Sequence, residues 1–427
     1  MTAFLRQLAQ SRRDSKPVGI TSVCSAHPLV IRAAVRNAAR FADILLIEAT
    51  CNQVNQFGGY TGMLPADFVN LVHRIAMEEN LPTEKIILGG DHLGPNPWRS
   101  EPAASAMAKA EDMVTAYVAA GFRKIHLDAS MGCAGEPAAL DDATTAERAL
   151  RLAKAAETVA RKAGGEMPVY IIGTEVPPPG GAHHVITELE PTSVTAAQQT
   201  IDVHRDLFRQ AGMEDTFARV IGLVVQPGVE FGNENVVIYD PAKARGLTQL
   251  LDREQGLVYE AHSTDYQGRT ALRHLVKDGF PILKVGPELT FVLREALYGL
   301  DLIASDLVEN YPPRALLAAM EKLMLEKPAF WQGHYHGSAQ EERVQRHYSY
   351  SDRIRYYWNQ PQAEAAVQHL IDALQGRTVP PTLFRQHLPA FESRSGKPLD
   401  PVSLLVAAVQ HSLDDYRAAC MNDGQNA

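Results

Sequence analysis

In Lys85-Ile-Ile-Leu-Gly-Gly-Asp-His-Leu-Gly-Pro-Asn96, a short apolar run leads directly into an acidic residue and a histidine. The run is rich in Ile and ends at glycine, as expected for a strand that is covered on both faces. Asp91 and His92 therefore follow a buried strand, where a proton-handling carboxylate would stand beside a potential metal ligand. The rest of the chain indicates which kind of sheet contains this strand.

Eight runs of this kind alternate with amphipathic segments over roughly the first 300 residues. The predicted strands are 18–23, 44–48, 85–88, 124–128, 169–175, 220–225, 257–262 and 281–285. Eight βα units in series favour a (β/α)8 TIM barrel, with a doubly wound open sheet as the alternative. A barrel brings all its strand ends round one mouth, and polar residues recur at these ends: Glu48, Asp91, His92, Asp128, Glu175, Gln226 and His262.

After about residue 305 the strand alternation stops, and helical stretches follow between connectors rich in proline and aromatic residues. We therefore predict an α/β barrel domain over residues 1–305 and a C-terminal α-helical extension over residues 306–427.

Composition excludes several classes of function. The net charge of −9 disfavours binding to nucleic acid or to an anionic membrane. No stretch approaches the roughly 20 apolar residues that span a bilayer, and the first residues lack the pattern of a secretory signal. The four cysteines are dispersed, as is usual for reduced thiols. These features predict a cytoplasmic protein.

Each of the strand-end residues admits more than one interpretation. His92 and His262 could ligate a divalent metal, or each could be a hydrogen-bonded structural histidine. Asp91 could act as a general acid or base, or it could cap a turn and orient His92. Glu175 precedes a stiff loop with three prolines and two glycines, where it could be a base, a metal ligand or part of a rigid turn.

Glycine turns after the sixth and eighth strands are candidate phosphate cradles, because backbone amides at a helix N-terminus favour anions. The candidate residues for binding substrate or phosphate are Glu48, Asp128, Gly228, Ser263, Lys284 and Gly286.

Several long motifs carry a resemblance that runs nearly end to end. They include Cys24-Ser-Ala-His-Pro-Leu29, Gly89-Gly-Asp-His-Leu-Gly-Pro-Asn96, Glu260-Ala-His-Ser-Thr-Asp-Tyr-Gln267 and, in the tail, Tyr348-Ser-Tyr-Ser-Asp-Arg-Ile-Arg-Tyr-Tyr357. Together they resemble the GatZ/KbaZ family, most closely its KbaZ branch. The resemblance implies a non-catalytic subunit of class II D-tagatose-1,6-bisphosphate aldolase, which stabilises and activates a separate catalytic subunit in galactitol or N-acetylgalactosamine-type catabolism. It leaves self-association into a homo-oligomer open.

The family is also similar to the class II aldolases themselves. In their pattern Asp91 matches the proton-transferring aspartate and His92 the first zinc ligand. The place of a second zinc histidine reads Gln226, and the third, His262, is followed by Ser263 instead of glycine. Glutamine is a far poorer zinc ligand than imidazole, so the resemblance does not imply aldol cleavage by this chain alone.

The alternative is an enzyme. Some members resemble ketohexose-phosphate 4-epimerases, and a His92–Glu175–His262 set, with a carbonyl oxygen from Gln226, could hold a divalent metal, zinc above all. Fructose and tagatose phosphates differ only at C4, so breaking and re-forming the C3–C4 bond would interconvert them, with Asp91 moving a proton at the C4 oxygen. No Gly-x-x-x-x-Gly-Lys-Ser/Thr loop is present, so we expect a sugar phosphate as ligand and no nucleotide.

Overall fold

Eight parallel strands close into one barrel in the computed structural model, which describes residues 2–173 and 189–422. The barrel order is β1-β10-β9-β6-β5-β4-β3-β2, so the closed barrel is confirmed over the open sheet. The barrel strands are β1 (Ile20–Cys24), β2 (Leu45–Thr50), β3 (Ile86–Leu93), β4 (Lys124–Leu127), β5 (Val169–Ile172), β6 (Val220–Val224), β9 (Val258–Ala261) and β10 (Ile282–Val285). All eight predicted strands are present. A small antiparallel hairpin, which the sequence did not predict, follows β6 as β7 (Glu230–Phe231) and β8 (Val236–Val237).

Helices cover the outside of the barrel. Their ends match the local sequence: Asp141 caps α5 by accepting a hydrogen bond from Thr144 N, and Arg161 and Lys162 lie in its last turn, where they complement the helix dipole. The helices up to and including the one that follows β10 are α1 (Ala3–Arg13), α2 (Pro28–Phe41), α3 (Pro65–Glu78), α4 (Ala103–Ala120), α5 (Asp142–Ala163), α6 (Val194–Gln210), α7 (Glu214–Phe217), α8 (Pro241–Leu250), α9 (Gly268–Lys277) and α10 (Pro287–Leu307).

The interior of the barrel changes character along its axis. Leu5 and Leu8 of α1 pack with Ile20, Ile87 and Val169 in an apolar cluster. Lys124 and Glu260, by contrast, are fully buried polar residues of β4 and β9. The amino-terminal end of the barrel is therefore sealed by hydrophobic packing, and the buried charges lie towards the mouth.

The remaining chain is helical and packs on the barrel. It comprises α11 (Ala315–Glu326), α12 (Ala339–Tyr348), α13 (Pro361–Leu374), α14 (Pro381–His387) and α15 (Pro401–Cys420). Helix α15 contacts α2, α9 and α10, and Gly19 N donates to Cys420 O at 2.8 Å beside β1. One hydrophobic core continues from the barrel into these helices. The division at residue 305 stays a prediction; α10 itself runs on to Leu307.

Within the described residues, none of the helices is both long and apolar enough to cross a membrane.

Candidate metal centre and active site

A bulge in β3 turns two consecutive residues into the barrel mouth. The pairing of β3 with β4 shifts register between Gly90 and Leu93, and His92 has a left-handed backbone with φ of 49°. Neighbouring residues of a regular strand point to opposite faces, but a bulge re-aims a side chain. Asp91 and His92 therefore both line the cavity at the mouth.

Three histidine rings meet beside Asp91. His92 comes from β3, His126 from β4, and His262 directly follows β9. The ring centroid of His92 lies 4.8 Å from that of His262 and 5.0 Å from that of His126, and the centroids of His126 and His262 are 5.4 Å apart. One ligand atom from each histidine and one from Asp91 lie within 4.8 Å of one another. This group could hold a metal ion.

Each ring has one nitrogen held by an oxygen atom. His92 Nδ1 lies 2.7 Å from Asp128 Oδ2, and His262 Nε2 lies 3.0 Å from Glu260 Oε1. His126 Nε2 lies 2.8 Å from the carbonyl oxygen of Gly173. An N–H directed at each oxygen leaves the opposite ring nitrogen with a lone pair, the arrangement that orients histidine ligands of metals. On His126 this lone pair also accepts from His92 N at 3.2 Å.

The charges around the histidines also fit a divalent cation. Lys124 Nζ lies 2.6 Å from Glu48 Oε1 and 2.6 Å from Glu260 Oε2, with all three side chains fully buried. Lys284 Nζ lies 2.7 Å from Asp91 Oδ1 and also pairs with Glu48. With Asp128 added, four carboxylates face two ammonium groups. Burial opposes a charge on His92, but Asp91 and Asp128 raise its pKa. A proton on this ring therefore offsets part of the excess negative charge, and a divalent cation would take the place of that proton.

Burial and neighbouring charges set the protonation states. Burial opposes the ionisation of Asp91, but His92 and Lys284 hold the pKa of its carboxyl well below the ordinary value. Burial likewise opposes the charge on Lys284, yet Asp91 and Glu48 raise its pKa above the usual range. Burial lowers the pKa of His262 to about 3, so this ring is neutral at physiological pH. The centre thus combines an ionised carboxylate with a neutral imidazole.

Two glycines make room for this arrangement. A Cβ on Gly89 would lie 2.7 Å from Glu48 Oε1, so only glycine lets β3 pass the buried carboxylate of β2. A Cβ on Gly94 would lie 1.5 Å from the backbone oxygen of Asp128. The glycines flanking Asp91 and His92 therefore permit close backbone approach at the metal centre.

A cavity of about 800 Å³ opens over the centre. From the barrel it is lined by Asp91, His92, Asp128, His262, Ser263 and Lys284, all of which the sequence proposed as site residues. The other wall comes from the tail and includes Arg355, Tyr356 and Trp358. The cavity is of the size usual for small-molecule sites, which span about 300–1,000 Å³.

Four predicted site residues have other positions or partners. Glu48 is fully buried and paired with the lysines, and its expected contact with substrate stays a prediction. The Gln226 side-chain oxygen accepts from Gly228 N at 2.7 Å and Val229 N at 2.8 Å. That oxygen is therefore not free for a metal, and Gly228 N is not free for a phosphate. Gly286 N donates to Asp265 Oδ1 at 3.1 Å, which closes the expected phosphate turn.

The other expected roles are mixed. Asp128 positions His92, since it accepts a hydrogen bond from His92 Nδ1. The hydrogen bond and charge of His92 outweigh burial and lower the pKa of Asp128 to about 2. Ser263 lines the cavity, and its buried hydroxyl has no hydrogen-bond partner among the described residues. A substrate contact of Ser263 stays a prediction. Glu175 falls in 174–188, outside the described residues.

Sequence reasoning missed His126, Glu260 and Lys124. A signal was present: Lys124, His126 and Asp128 are polar residues at alternate positions of one strand, and alternate positions share a face. Glu260 and His262 repeat this spacing in β9. In a barrel the alternate residues of a strand point inwards, so both strands carry the centre.

The family model described as D-tagatose-1,6-bisphosphate aldolase subunit GatZ/KbaZ-like matches residues 5–421. The chain belongs to this family. A GatZ/KbaZ-like relative from Agrobacterium fabrum, named D-tagatose 6-phosphate 4-epimerase, is 61% identical over 419 residues, covering 98% of this chain and 99% of that protein. The crystal structure of a probable tagatose 6 phosphate kinase from Sinorhizobium meliloti 1021 superposes with a TM-score of 0.86 at 56% identity, covering 94% of this chain and 100% of that one.

These comparisons correct the expected function of this GatZ/KbaZ-like chain. The prediction of a non-catalytic aldolase subunit is wrong, because a relative that is 61% identical over nearly its whole length is named as an epimerase. That prediction followed from the family resemblance, and Gln226 in place of a zinc histidine put aldol cleavage by this chain alone in doubt. The structure places a third imidazole, His126, in the group that could hold a metal ion. A partner aldolase and a homo-oligomer stay untested predictions.

Proposed function

We propose that this protein is a metal-dependent epimerase that inverts C4 of a ketohexose 6-phosphate, interconverting tagatose 6-phosphate and fructose 6-phosphate. The observation that carries the proposal is the convergence of His92, His126 and His262 beside an ionised Asp91. Asp91, His92 and His262 line the open cavity, and His126 lies buried behind them. The name of the Agrobacterium fabrum relative supports the choice of reaction and substrate.

The three histidines would hold the metal, with Asp91 beside them, and zinc suits this donor set because it favours imidazole ligands. A bound divalent ion would polarise the C2 carbonyl of the sugar and so stabilise charge that develops when the C3–C4 bond breaks. Asp128 and Glu260 fix the ring orientations of His92 and His262 through their hydrogen bonds. These carboxylates keep the ligand nitrogens aimed at the metal.

Asp91 is the candidate for proton transfer. Its carboxylate accepts the proton of the C4 hydroxyl as the C3–C4 bond breaks, giving a three-carbon enediolate and an aldehyde. After the aldehyde turns over, C3 attacks its opposite face and Asp91 returns the proton to the new C4 oxygen. Lys284, at 2.7 Å, keeps Asp91 ionised between turnovers. The cavity has room for both three-carbon fragments, which must not escape before they recombine.

The test is conversion of fructose 6-phosphate by the purified full-length protein supplied with Zn²⁺, Mn²⁺, Mg²⁺ or Ni²⁺, followed by carbon-13 NMR. Asp91→Asn should retain the fold and lower kcat by about 100-fold or more, the usual contribution of a positioned acid or base. Asp372→Asn, a change on the exposed face of α13, is the control. Metal content is measured for each variant, so that a loss of metal is separated from a loss of proton transfer.

The proposal would be overturned if the protein showed no turnover, or if a chelator did not abolish the turnover. Net release of triose products without tagatose 6-phosphate would also overturn it, because that result would make the protein an aldolase.

A further inference from the structure

The helical tail contributes a rigid turn to the cavity. A 3-10 helix, Arg353–Tyr357, lies between α12 and α13. Asp352, just before it, accepts from Thr290 Oγ1 at 2.6 Å and from Arg294 Nε at 3.2 Å, and all three residues are buried. On the far side, Asn359 Nδ2 donates to Tyr60 O at 2.7 Å. The turn is therefore tied to the barrel at both ends.

Arg355 brings to the cavity wall a cation that no described carboxylate contacts directly. Its Nη1 donates to the backbone oxygens of Ser351 and Asp352, and its Nη2 donates to Tyr356 Oη at 3.0 Å. Within residues 2–173 and 189–422 it has no ion pair with an acidic side chain, and the charge of Asp352 acts on it only from beyond ion-pair distance. A guanidinium has five N–H groups, so two are unused, and a half-buried cation without a directly bound carboxylate favours an anionic ligand.

Several other polar groups of the cavity are already engaged, and Arg99, which also lines it, is exposed. Lys284 is bound to Asp91 and Glu48. The amides of Gly286 and Glu288, at the start of α10, donate to Asp265 Oδ1. A carboxylate therefore fills the turn after β10 where a barrel often binds phosphate, and an anion would be repelled there.

Further unused polar groups lie next to Arg355. Trp358 lines the cavity with 5% of its surface exposed, and its Nε1–H has no hydrogen-bond partner among the described residues. The Tyr356 hydroxyl accepts from Arg355, which leaves its own proton free to donate. The buried Asn359 Oδ1 also lacks a partner in the described part of the chain and could accept from a sugar hydroxyl.

We propose that the tail turn binds the phosphate group of the substrate, with Arg355 as the charged donor and Tyr356 and Trp358 as neutral donors. The inference rests on the proposed function only for the identity of the sugar that carries the phosphate. It assigns the two ends of the substrate to different parts of the fold: the barrel holds the reacting carbons, and the helical tail holds the phosphate. Planar guanidinium groups suit this ligand because they can donate two parallel hydrogen bonds to phosphate oxygens.

The first test is calorimetric titration of inorganic phosphate into the full-length protein as purified. Arg355→Gln should weaken binding by about 10- to 100-fold, the range expected when a hydrogen-bonded charge is lost. Arg355→Lys, which keeps the charge, should fall in between. The matched control is Arg385→Gln, in the same tail but 77% exposed, and it should bind like the parent. Phosphate that binds at a metal instead would bind equally to the parent and to all these variants, so it would not produce a difference between them.

The second test is kinetic. With fructose 6-phosphate, Arg355→Gln should raise KM by a similar factor and change kcat much less, whereas the rate with unphosphorylated fructose should stay at the parental value. If thermal melting shows that Arg355→Gln is unfolded, Trp358→Phe and Tyr356→Phe decide the matter, since each should weaken phosphate binding by about 5- to 10-fold.

The outcomes separate this inference from the epimerase. Phosphate binding that depends on Arg355 in a protein without epimerase activity supports the inference and removes the proposed function. Epimerase activity with an unchanged KM in Arg355→Gln keeps the function and overturns the inference. Failure of the parent protein to bind phosphate at millimolar concentration also overturns it.

Discussion

His126 Nδ1 lies 3.0 Å from Asp91 Oδ1, although the two residues are 35 positions apart on neighbouring strands. His126 Nε2 faces the carbonyl oxygen of Gly173, which requires an N–H on that nitrogen. A neutral ring then has a lone pair on Nδ1, which accepts from His92 N at 3.2 Å and also faces Asp91 Oδ1. Nδ1 and Oδ1 are both acceptors, and a bound cation or a second ring proton would remove their mutual repulsion. His126 is therefore either a third metal ligand or a structural imidazolium, and the two roles predict different metal contents when His126 is removed.

We expect His126→Ala to lose the metal. Removing one of three imidazole ligands should reduce metal content after gel filtration from about one equivalent to a small fraction, because zinc sites need three protein ligands. Elemental analysis of freshly purified protein measures this. The matched control is His204→Ala, which removes another fully buried histidine bonded to a backbone oxygen, that of Thr200. Equal metal content in the two variants would assign His126 a purely structural part.

Asp128→Asn should weaken metal binding without abolishing it. The amide oxygen can still accept from His92 Nδ1, but the charge that strengthens the imidazole is lost, and such changes cost about 10- to 100-fold in affinity. Competition with a chromophoric chelator gives the dissociation constant. Ser130→Ala is the control: it removes the 3.1 Å hydrogen bond to Asp128 Oδ1 and leaves the bond to His92 in place. An affinity loss as large in Ser130→Ala would indicate that the whole loop had moved.

Lys284→Met should destabilise the fold strongly. It leaves Glu48 and Asp91 buried with one ammonium partner fewer, and breaking a buried pair in this way costs about 3–5 kcal/mol of unfolding free energy. Urea unfolding followed by circular dichroism measures the loss. The double variant Lys284→Met/Glu48→Gln should recover part of it, because the unpaired carboxylate has become neutral. Additive losses in the double variant would contradict a coupled ion network.

Asp265 should make stability depend on pH. Burial, reinforced by the charge of Glu288, raises the pKa of Asp265 to about 7. A carboxyl with a raised folded-state pKa binds more protons when folded than when unfolded, so its contribution to the unfolding free energy is greatest at low pH. That contribution falls as pH rises from about 4 to about 7, by at most about 1.4 kcal/mol per pH unit.

Asp265→Asn should remove this decline, since the amide oxygen still accepts from Gly286 N and Glu288 N but does not ionise. The stability difference between variant and parent should therefore grow in favour of the variant up to about pH 7 and then level off. Urea unfolding at several pH values measures it. Asp400→Asn, the same change at the exposed cap of α15, is the control. A flat difference for Asp265→Asn as well would refute the raised pKa.

The sequence by itself determined the barrel and part of its mouth. Strand length, Val and Ile content and βα alternation are local properties, and they located all eight barrel strands. Asp91, His92 and His262 follow because residues at strand ends in a βα series meet at one edge once the series closes. Long motifs between Cys24 and Tyr357 also indicate the family from sequence alone, and the family model matches residues 5–421.

Only the tertiary structure decided which residues complete the centre. His126 reaches it because alternate residues of β4 point into the barrel and because the β3 bulge brings Asp91 alongside. Gln226 does not, since its side chain folds back onto the amides of its own turn. Arg355 lies at the cavity because the tail packs across the mouth. Such positions depend on contacts between residues distant in sequence, which the local pattern of neither segment encodes.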